Sequence, residues 1–233
     1  MPTPSHLGKN KPNKIRKIRP KHLLQISDGY DERITFFMPQ AQGSGSLYTI
    51  ESIILIKLMR LTNADYVFEF GTYKGLTTRI LLENLPEKNI GDQRIYTLDL
   101  PNLEGVIFQG DDEKVALESI GFKRKYQESE NKGIVKQIYQ NSISFDGGKM
   151  GSKFQLIFID GNHELTYVKK DTENAFKMMA EAPSCIAWHD YENPQFPELT
   201  DYINTLAEEY PIYHVENTMT AFYLKGVSID ENN

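Results

Sequence analysis

YVFEFGTYKG, residues 66–75, carries the pattern that decides the fold. An apolar run reading as a strand over residues 66–70 meets Gly71, and Gly75 follows before a helix-periodic stretch begins. Strand, glycine turn and helix together make a nucleotide cradle. Glycine accepts positive φ and lets the backbone come close to a ligand, and a helix start presents free N–H groups. Glu69, two residues before Gly71, is unusual in such a loop. A carboxylate there repels a pyrophosphate and suits a cationic ligand, which argues against a dinucleotide.

Working outward, apolar residues Ile50, Ile53, Ile54, Leu58 and Leu61 predict a helix over residues 49–61. A second helix is predicted over 76–84 and a second strand over 94–100, with Asp99 near its end. A long polar connection follows, with a helix near 113–120 and a basic patch at 123–125. A third strand, 134–139, leads to Asn141 and Ser142. Residues 154–159 (FQLIFI) read as a central strand buried on both faces, ending at Asp160-Gly161. A helix over 164–180, a strand over 184–188 ending at His189-Asp190, and a helix near 197–209 follow. Runs 211–215 and 219–224 flank a tight Glu216-Asn217 turn and form a hairpin. The expected fold class is α/β, with a doubly wound, mostly parallel seven-stranded sheet, helices on both faces and an antiparallel C-terminal hairpin.

The 233 residues suit one such domain, and the 39% hydrophobic and 25% charged fractions are ordinary for a soluble protein. No apolar run approaches the roughly 18 residues that span a bilayer. No secretory signal is recognised, and the single cysteine, Cys185, excludes an internal disulfide and points to a reducing cytoplasm. The net charge of −6 conceals an asymmetry: residues 1–21 hold seven Lys/Arg and no acid, leaving 19 basic against 32 acidic residues elsewhere. Residues 1–45 are expected to form a basic, flexible arm, residues 46–226 the domain, and 227–233 a polar tail. QGSGS, residues 42–46, reads as a joint. The arm is a solvated segment, or an anchor for nucleic acid, anionic lipid or the protein's own acidic body. Without interleaved aromatics it is a poor platform for base stacking, so a nucleic-acid partner is disfavoured.

Ligands of open α/β sheets bind outside the carboxyl ends of the strands, at the switch point. Here polar residues fall at each such end: Gly71, Asp99, Asn141, Asp160 and His189-Asp190. Asp99 lies at the distance beyond the glycine turn where a carboxylate accepts hydrogen bonds from ribose hydroxyls. Its bland alternative is a turn residue before Pro101. Asn141 and Ser142 suit an adenine edge or a turn. Asp160, His189 and Asp190 suit an oxygen-rich site for Mg²⁺ or Mn²⁺. Equally, His189 suits a metal-free general base oriented by a neighbouring carboxylate, and His163 is a second base candidate. Cys185 and His214 read as strand residues, and Trp188 as core or cavity wall.

In order and content, FEFGTYKGLTT (68–78), IYTLDLPNLEG (95–105), LIFIDGNHELTYVKKDTENAF (156–176), IAWHDY (186–191) and EYPIYHVENTMTAFYL (209–224) resemble class I S-adenosylmethionine (SAM)-dependent methyltransferases. Among these they are similar to small-molecule O-methyltransferase-like members. The resemblance implies that Glu69, Gly71, Thr72, Tyr73 and Gly75 line the methionine and ribose side of SAM. It implies that Asp99 holds the ribose diol and that Asn141 and Ser142 flank adenine. Asp160, His163 and His189 become catalytic candidates, and Asp160, His189 and Asp190 the ligands of a divalent metal. The implied reaction moves a methyl group from SAM to a hydroxyl of a small molecule or sugar. The pattern departs from the family in lacking a third loop glycine, in Asn141 where an acid is usual, and in Ala182-Pro183-Ser184 for a glycine pair. Histidine at 189 also stands where metal-dependent relatives often have an acid. The rival readings are an NAD-dependent oxidoreductase and a SAM-binding module without turnover. A homo-oligomer is left open.

Overall fold

Side chains alternate across the strands, and that alternation sorts the core into two layers. The computed structural model describes residues 15–24, 32–38, 45–86 and 92–229. Its strands are β1 (Arg16–Ile18), β2 (Val67–Phe70), β3 (Ile95–Asp99), β4 (Val135–Tyr139), β5 (Leu156–Ile159), β6 (Ser184–Trp188), β7 (Ile212–Val215) and β8 (Ala221–Lys225). The helices are α1 (Lys21–Leu24), α2 (Thr49–Leu61), α3 (Leu76–Asn84), α4 (Asp112–Ser119), α5 (Leu165–Met178) and α6 (Pro197–Leu206). Val67, Leu156, Phe158, Cys185 and Ala187 pack with Ile54, Leu58 and Leu81 of α2 and α3. Phe68, Phe70, Ile157, Ile159, Ile186 and Trp188 pack with Val168, Met178 and Ile203 of α5 and α6. Strands buried on both faces have to be apolar throughout, which explains the FQLIFI run.

The strand order is β1-β7-β8-β6-β5-β2-β3-β4. Neighbours are parallel except β8, which runs antiparallel to β6 and β7. The doubly wound sheet, the helices on both faces and the terminal hairpin are those expected. The sheet has eight strands rather than seven because Arg16–Ile18 of the basic arm pairs with β7. Ile18 is buried at that edge, Lys17 pairs with Glu192 at 3.0 Å, and Arg19 lies 3.9 Å from Glu216. The described end of the arm therefore docks on the protein's own acidic body instead of standing free. Most of the arm, and residues 42–44 of the joint, lie outside the described residues. At the other end, Val227 and Ile229 of the polar tail pack against the α2–α3 layer.

After β2 the chain adds β3 and β4 on one side, then β5 and β6 on the other. The switch point is thus between β2 and β5, where Gly71 meets Asp160. Gly71 has φ +88°, and a Cβ there would lie 2.1 Å from the Asp160 carbonyl oxygen. The glycine is required by that backbone approach. No helix among the described residues is long and apolar enough to cross a membrane.

Candidate functional site

A cavity of about 500 Å³ opens at the carboxyl ends of the strands, within the usual size range of small-molecule sites. Its wall includes Gly71, Thr72, Tyr73, Asp99, Ser142, Asp160, His163, His189 and Asp190. Nine of the residues singled out from the sequence thus share one cavity.

Three do not reach its wall. Glu69 alternates onto the α2–α3 side of β2, and its Oε2 accepts from Thr78 Oγ1 at 2.5 Å and Thr97 Oγ1 at 2.6 Å. Burial raises its pKa to about 8, against the two hydroxyl bonds. Its Oε1 is buried without a hydrogen-bond partner. The structure thus places Glu69 beneath the loop and off the cavity wall. Gly75 has φ +75°, and a Cβ there would meet Arg124 Cβ and Tyr126 Cδ1 at 3.0 Å. It serves the packing of residues 124–126 and not the cavity. Asn141 is half-buried and caps the turn that follows it: Oδ1 accepts from Ile143 N, and Nδ2 donates to Oη of Tyr167, a residue of the cavity wall, at 3.3 Å.

At the β3 end, Asp99 accepts from Leu100 N at 2.9 Å, from Arg124 Nη2 at 2.8 Å and from the Tyr73 amide. Burial raises its pKa despite Arg124 beside it. Arg124 is itself buried and also donates to the carbonyls of Tyr73 and Ser119. It comes from the basic patch at 123–125, where sequence alone marked charge without showing which cation turns inward. Tyr73, at φ +47°, is held by these bonds and by its hydroxyl on Glu118. Asp171 has no sequence signal of its own, since it lies in the middle of α5. It lines the cavity, is buried with Oδ1 lacking a hydrogen-bond partner, and has its pKa raised to about 8 by burial.

At the β5–β6 end, carboxylates and imidazoles alternate in a chain. His189 Nε2 lies 3.1 Å from Glu51 Oε2, and its Nδ1 lies 2.8 Å from Asp190 Oδ2 and 3.3 Å from Asp160 Oδ1. His163 Nε2 lies 2.8 Å from the same Asp190 oxygen, while its Nδ1 bonds Asp112 at 2.9 Å. The His163–Asp190 distance is that of an ion pair, but Nε2 lacks hydrogen-bond alignment. The His163 ring stacks on Phe196 with centroids 4.1 Å apart. Burial works against charge on His189, but Asp160, Asp190 and Glu51 outweigh it and hold the pKa well above the ordinary value. Carboxylates face both ring nitrogens of His189, so general-base work would need one of them to withdraw, whereas a cation at Nδ1 would replace the proton there. Asp190, at φ +61°, is held below the usual carboxylate range by His163 and His189, which outweigh its burial.

Two carboxylates and one imidazole fit a divalent cation. Ligand atoms of Asp160, His189 and Asp190 lie within 4.8 Å of one another. The set is mostly oxygen, as Mg²⁺ and Mn²⁺ prefer, and the imidazole presents Nδ1 to both carboxylates. Glu51 and Asp112 were not found from the sequence, because each reads there as an acid in the first turn of its helix. Cys185 and Trp188 are core residues. His214 is buried in the hairpin, its Nε2 2.8 Å from Thr218 O.

A doubly wound sheet closed by an antiparallel hairpin, with a cavity at its switch point, defines the Rossmann-like fold of class I SAM-dependent methyltransferases. Residues 68–191, just over half of the chain, match the family described as a methyltransferase domain, and the chain belongs to it. Among solved structures it is similar to the O-methyltransferase TomG from Streptomyces achromogenes, at 14% identity and TM-score 0.55, covering 78% of this chain and 82% of that one. It is also similar to the Podospora anserina methyltransferase PaMTH1, at 15% identity and TM-score 0.52, covering 79% and 81%. CalS11, a TDP-rhamnose 3'-O-methyltransferase of calicheamicin biosynthesis, matches at 13% identity and TM-score 0.53, covering 76% and 79%. At these identities the likeness establishes the fold alone. No curated protein sequence matches the chain.

Proposed function

We propose that the protein binds SAM along Gly71–Tyr73 and Asp99, and transfers its methyl group to a hydroxyl of a small molecule or sugar. The acceptor would lie at the Asp160–His163–His189–Asp190 end. One observation carries the reading: a single cavity joins the glycine turn and Asp99 to that charged cluster. TomG was solved in complex with SAM and PaMTH1 bound to its demethylated product SAH, which accords with this reading. CalS11, named for methylation of a sugar hydroxyl, supports the acceptor class. Family membership favours a methyl donor over a nicotinamide. A single buried cysteine accords with a cytoplasmic setting.

When bound, SAM supplies an electrophilic methyl on a sulfonium, and Mg²⁺ or Mn²⁺ at Asp160, His189 and Asp190 supplies a Lewis acid that lowers a hydroxyl's pKa. The chain's own contribution is chiefly alignment. Gly71 sets the loop against Asp160, so the two ends of the cavity keep a fixed spacing. Asp99 offers acceptors to ribose hydroxyls, and Ser142 lies on the adenine side. Asp160 and Asp190 hold the acceptor end, and Phe196 walls it against water beside His163. Burial works against charge on His163, but Asp112 at Nδ1 and Asp190 at 2.8 Å from Nε2 outweigh it and raise its pKa to about 10, so His163 would steer an anionic oxygen at this end and not take the hydroxyl proton.

Calorimetry with SAM and SAH tests the cofactor, and release of SAH from a panel of phenols and sugar nucleotides, with and without Mn²⁺, tests the acceptor. Binding of both ligands with SAH release supports the proposal. Absence of binding overturns it, and binding without release from any hydroxylated acceptor favours a module without turnover.

A further inference from the structure

Glu51 reaches the charged cluster from α2, an element outside the pattern of strand ends that marks the cavity. It is 1% exposed, and both its oxygens are committed. Oε1 accepts from Met219 N at 2.7 Å, and Oε2 accepts from Tyr48 N at 3.0 Å and faces His189 Nε2 at 3.1 Å. Two of these donors are backbone amides, one just before α2 and one in the turn between β7 and β8. Rotating the carboxylate would break both part-buried backbone bonds, which fixes its orientation. It presents a fixed acceptor to one side of the His189 ring, while Nδ1 on the other side faces Asp160 and Asp190.

We infer that Glu51 is a positioning residue for the cation site: it accepts the Nε2–H of His189 and so directs the Nδ1 lone pair to the point where Asp160 and Asp190 converge. This rests on the cation reading of that cluster. A metal-bound imidazole needs its second N–H held by an acceptor, which fixes both tautomer and ring orientation. Glu51 also couples the site to α2 and to the hairpin turn, through Tyr48 and Met219.

A glutamine at this position has one acceptor oxygen for three donors. If its amide nitrogen faces Met219 N, two donors oppose each other. If it faces Tyr48 N and His189, an N–H points at Nε2 and drives the ring proton to Nδ1, where the cation would bind.

The test is a Mn²⁺ titration of the full chain, with free Mn²⁺ read by electron paramagnetic resonance, comparing wild type, Glu51→Gln and Asp160→Asn. SAH affinity is measured in parallel. Glu51→Gln is expected to weaken Mn²⁺ by about 10–100-fold with SAH affinity at the wild-type value. Wild-type Mn²⁺ affinity in Glu51→Gln, with loss in Asp160→Asn, overturns the inference and leaves the cation reading standing. Wild type that takes up no Mn²⁺, or an Asp160→Asn variant that binds it unchanged, overturns the cation reading and the inference with it. Should Glu51→Gln fail to fold, histidine ¹⁵N NMR of the wild type with Zn²⁺ as a diamagnetic probe decides. A proton on His189 Nε2 with a metal-type shift at Nδ1 supports the role, and a proton on Nδ1 overturns it.

Discussion

At the β3 end of the cavity one carboxylate, Asp99, meets one guanidinium and two backbone amides. At the β5–β6 end Glu51, Asp160, Asp190 and Asp112 crowd around two imidazoles. The first arrangement is nearly self-neutral and rests on the main-chain path: a turn at Gly71, a positive-φ Tyr73 and a strand end. The second holds more negative than positive groups in a buried place, so its geometry depends on side chains compensating one another. An end built from backbone tolerates changes in neighbouring side chains, whereas an end built from charges does not. The two should therefore fail independently, one in cofactor affinity and the other in turnover.

The hardest test of that independence is Asp160→Asn. The substitution keeps size and removes a charge from the acceptor end. A loss on the order of 10³-fold in kcat/KM is expected, since metal-assisted activation contributes several kcal/mol to such reactions. SAH affinity, read by calorimetry, should stay at its wild-type value. A parallel fall in SAH affinity would show that the two ends are coupled through the close approach of the Asp160 backbone to Gly71.

Glu69 sharpens the comparison from below the loop. Its folded pKa of about 8 exceeds the ordinary 4.5, so the folded state binds the proton more tightly. The associated stability is fully present below pH 4.5 and is lost as pH rises toward 8. Asp171 adds a loss of the same sign as pH rises from 3.8 to about 8. Glu69→Gln should flatten part of this fall and be more stable than wild type above pH 8, by on the order of 5 kcal/mol. Denaturant melts across this range measure it, and an unchanged pH slope would refute it. Because Glu69 lies off the cavity wall, the ratio of SAM to SAH affinity should not move. If that ratio falls, the carboxylate reaches the sulfonium after all, as its place in the sequence first suggested.

Elements with strong periodicity or punctuation were legible. Thr49–Leu61 has its apolar stripe, Leu76–Asn84 its glycine start, and Ser184–Trp188 its apolar run before two polar residues. β1 was not legible, because Arg-Lys-Ile inside a basic run offers one buried side chain and no alternation. Residues at strand ends were found because topology gathers them in one place whatever their neighbours do. Glu51 and Asp112 were missed because helix-start acids are common caps, and only tertiary packing turns these two toward histidines. Arg124 shows the same limit: its neighbours Lys123 and Lys125 are exposed or half-buried, and nothing local says which cation pairs with Asp99. The carboxylate of the opening motif is placed by the same alternation. Period-two alternation places Glu69 opposite Phe68 and Phe70, on the side of α3, where Thr78 and Thr97 hold it.

The smallest expected effect concerns the neutral end. Asp99→Ala removes the carboxylate proposed for the ribose diol and should weaken SAM at least about tenfold, the worth of a charge-assisted hydrogen bond. Loss of Asp99 also leaves Arg124 without its counter-charge, so weaker binding alone does not separate ribose recognition from a disturbed loop. A SAH analogue lacking both ribose hydroxyls separates them. In wild type the analogue should bind about tenfold less tightly than SAH, and in Asp99→Ala the two should bind alike, because the partner of the hydroxyls is gone. Equal penalties for the analogue in both proteins would remove Asp99 from the diol, and would leave its bonds to Arg124, Leu100 and Tyr73 as its role at this end.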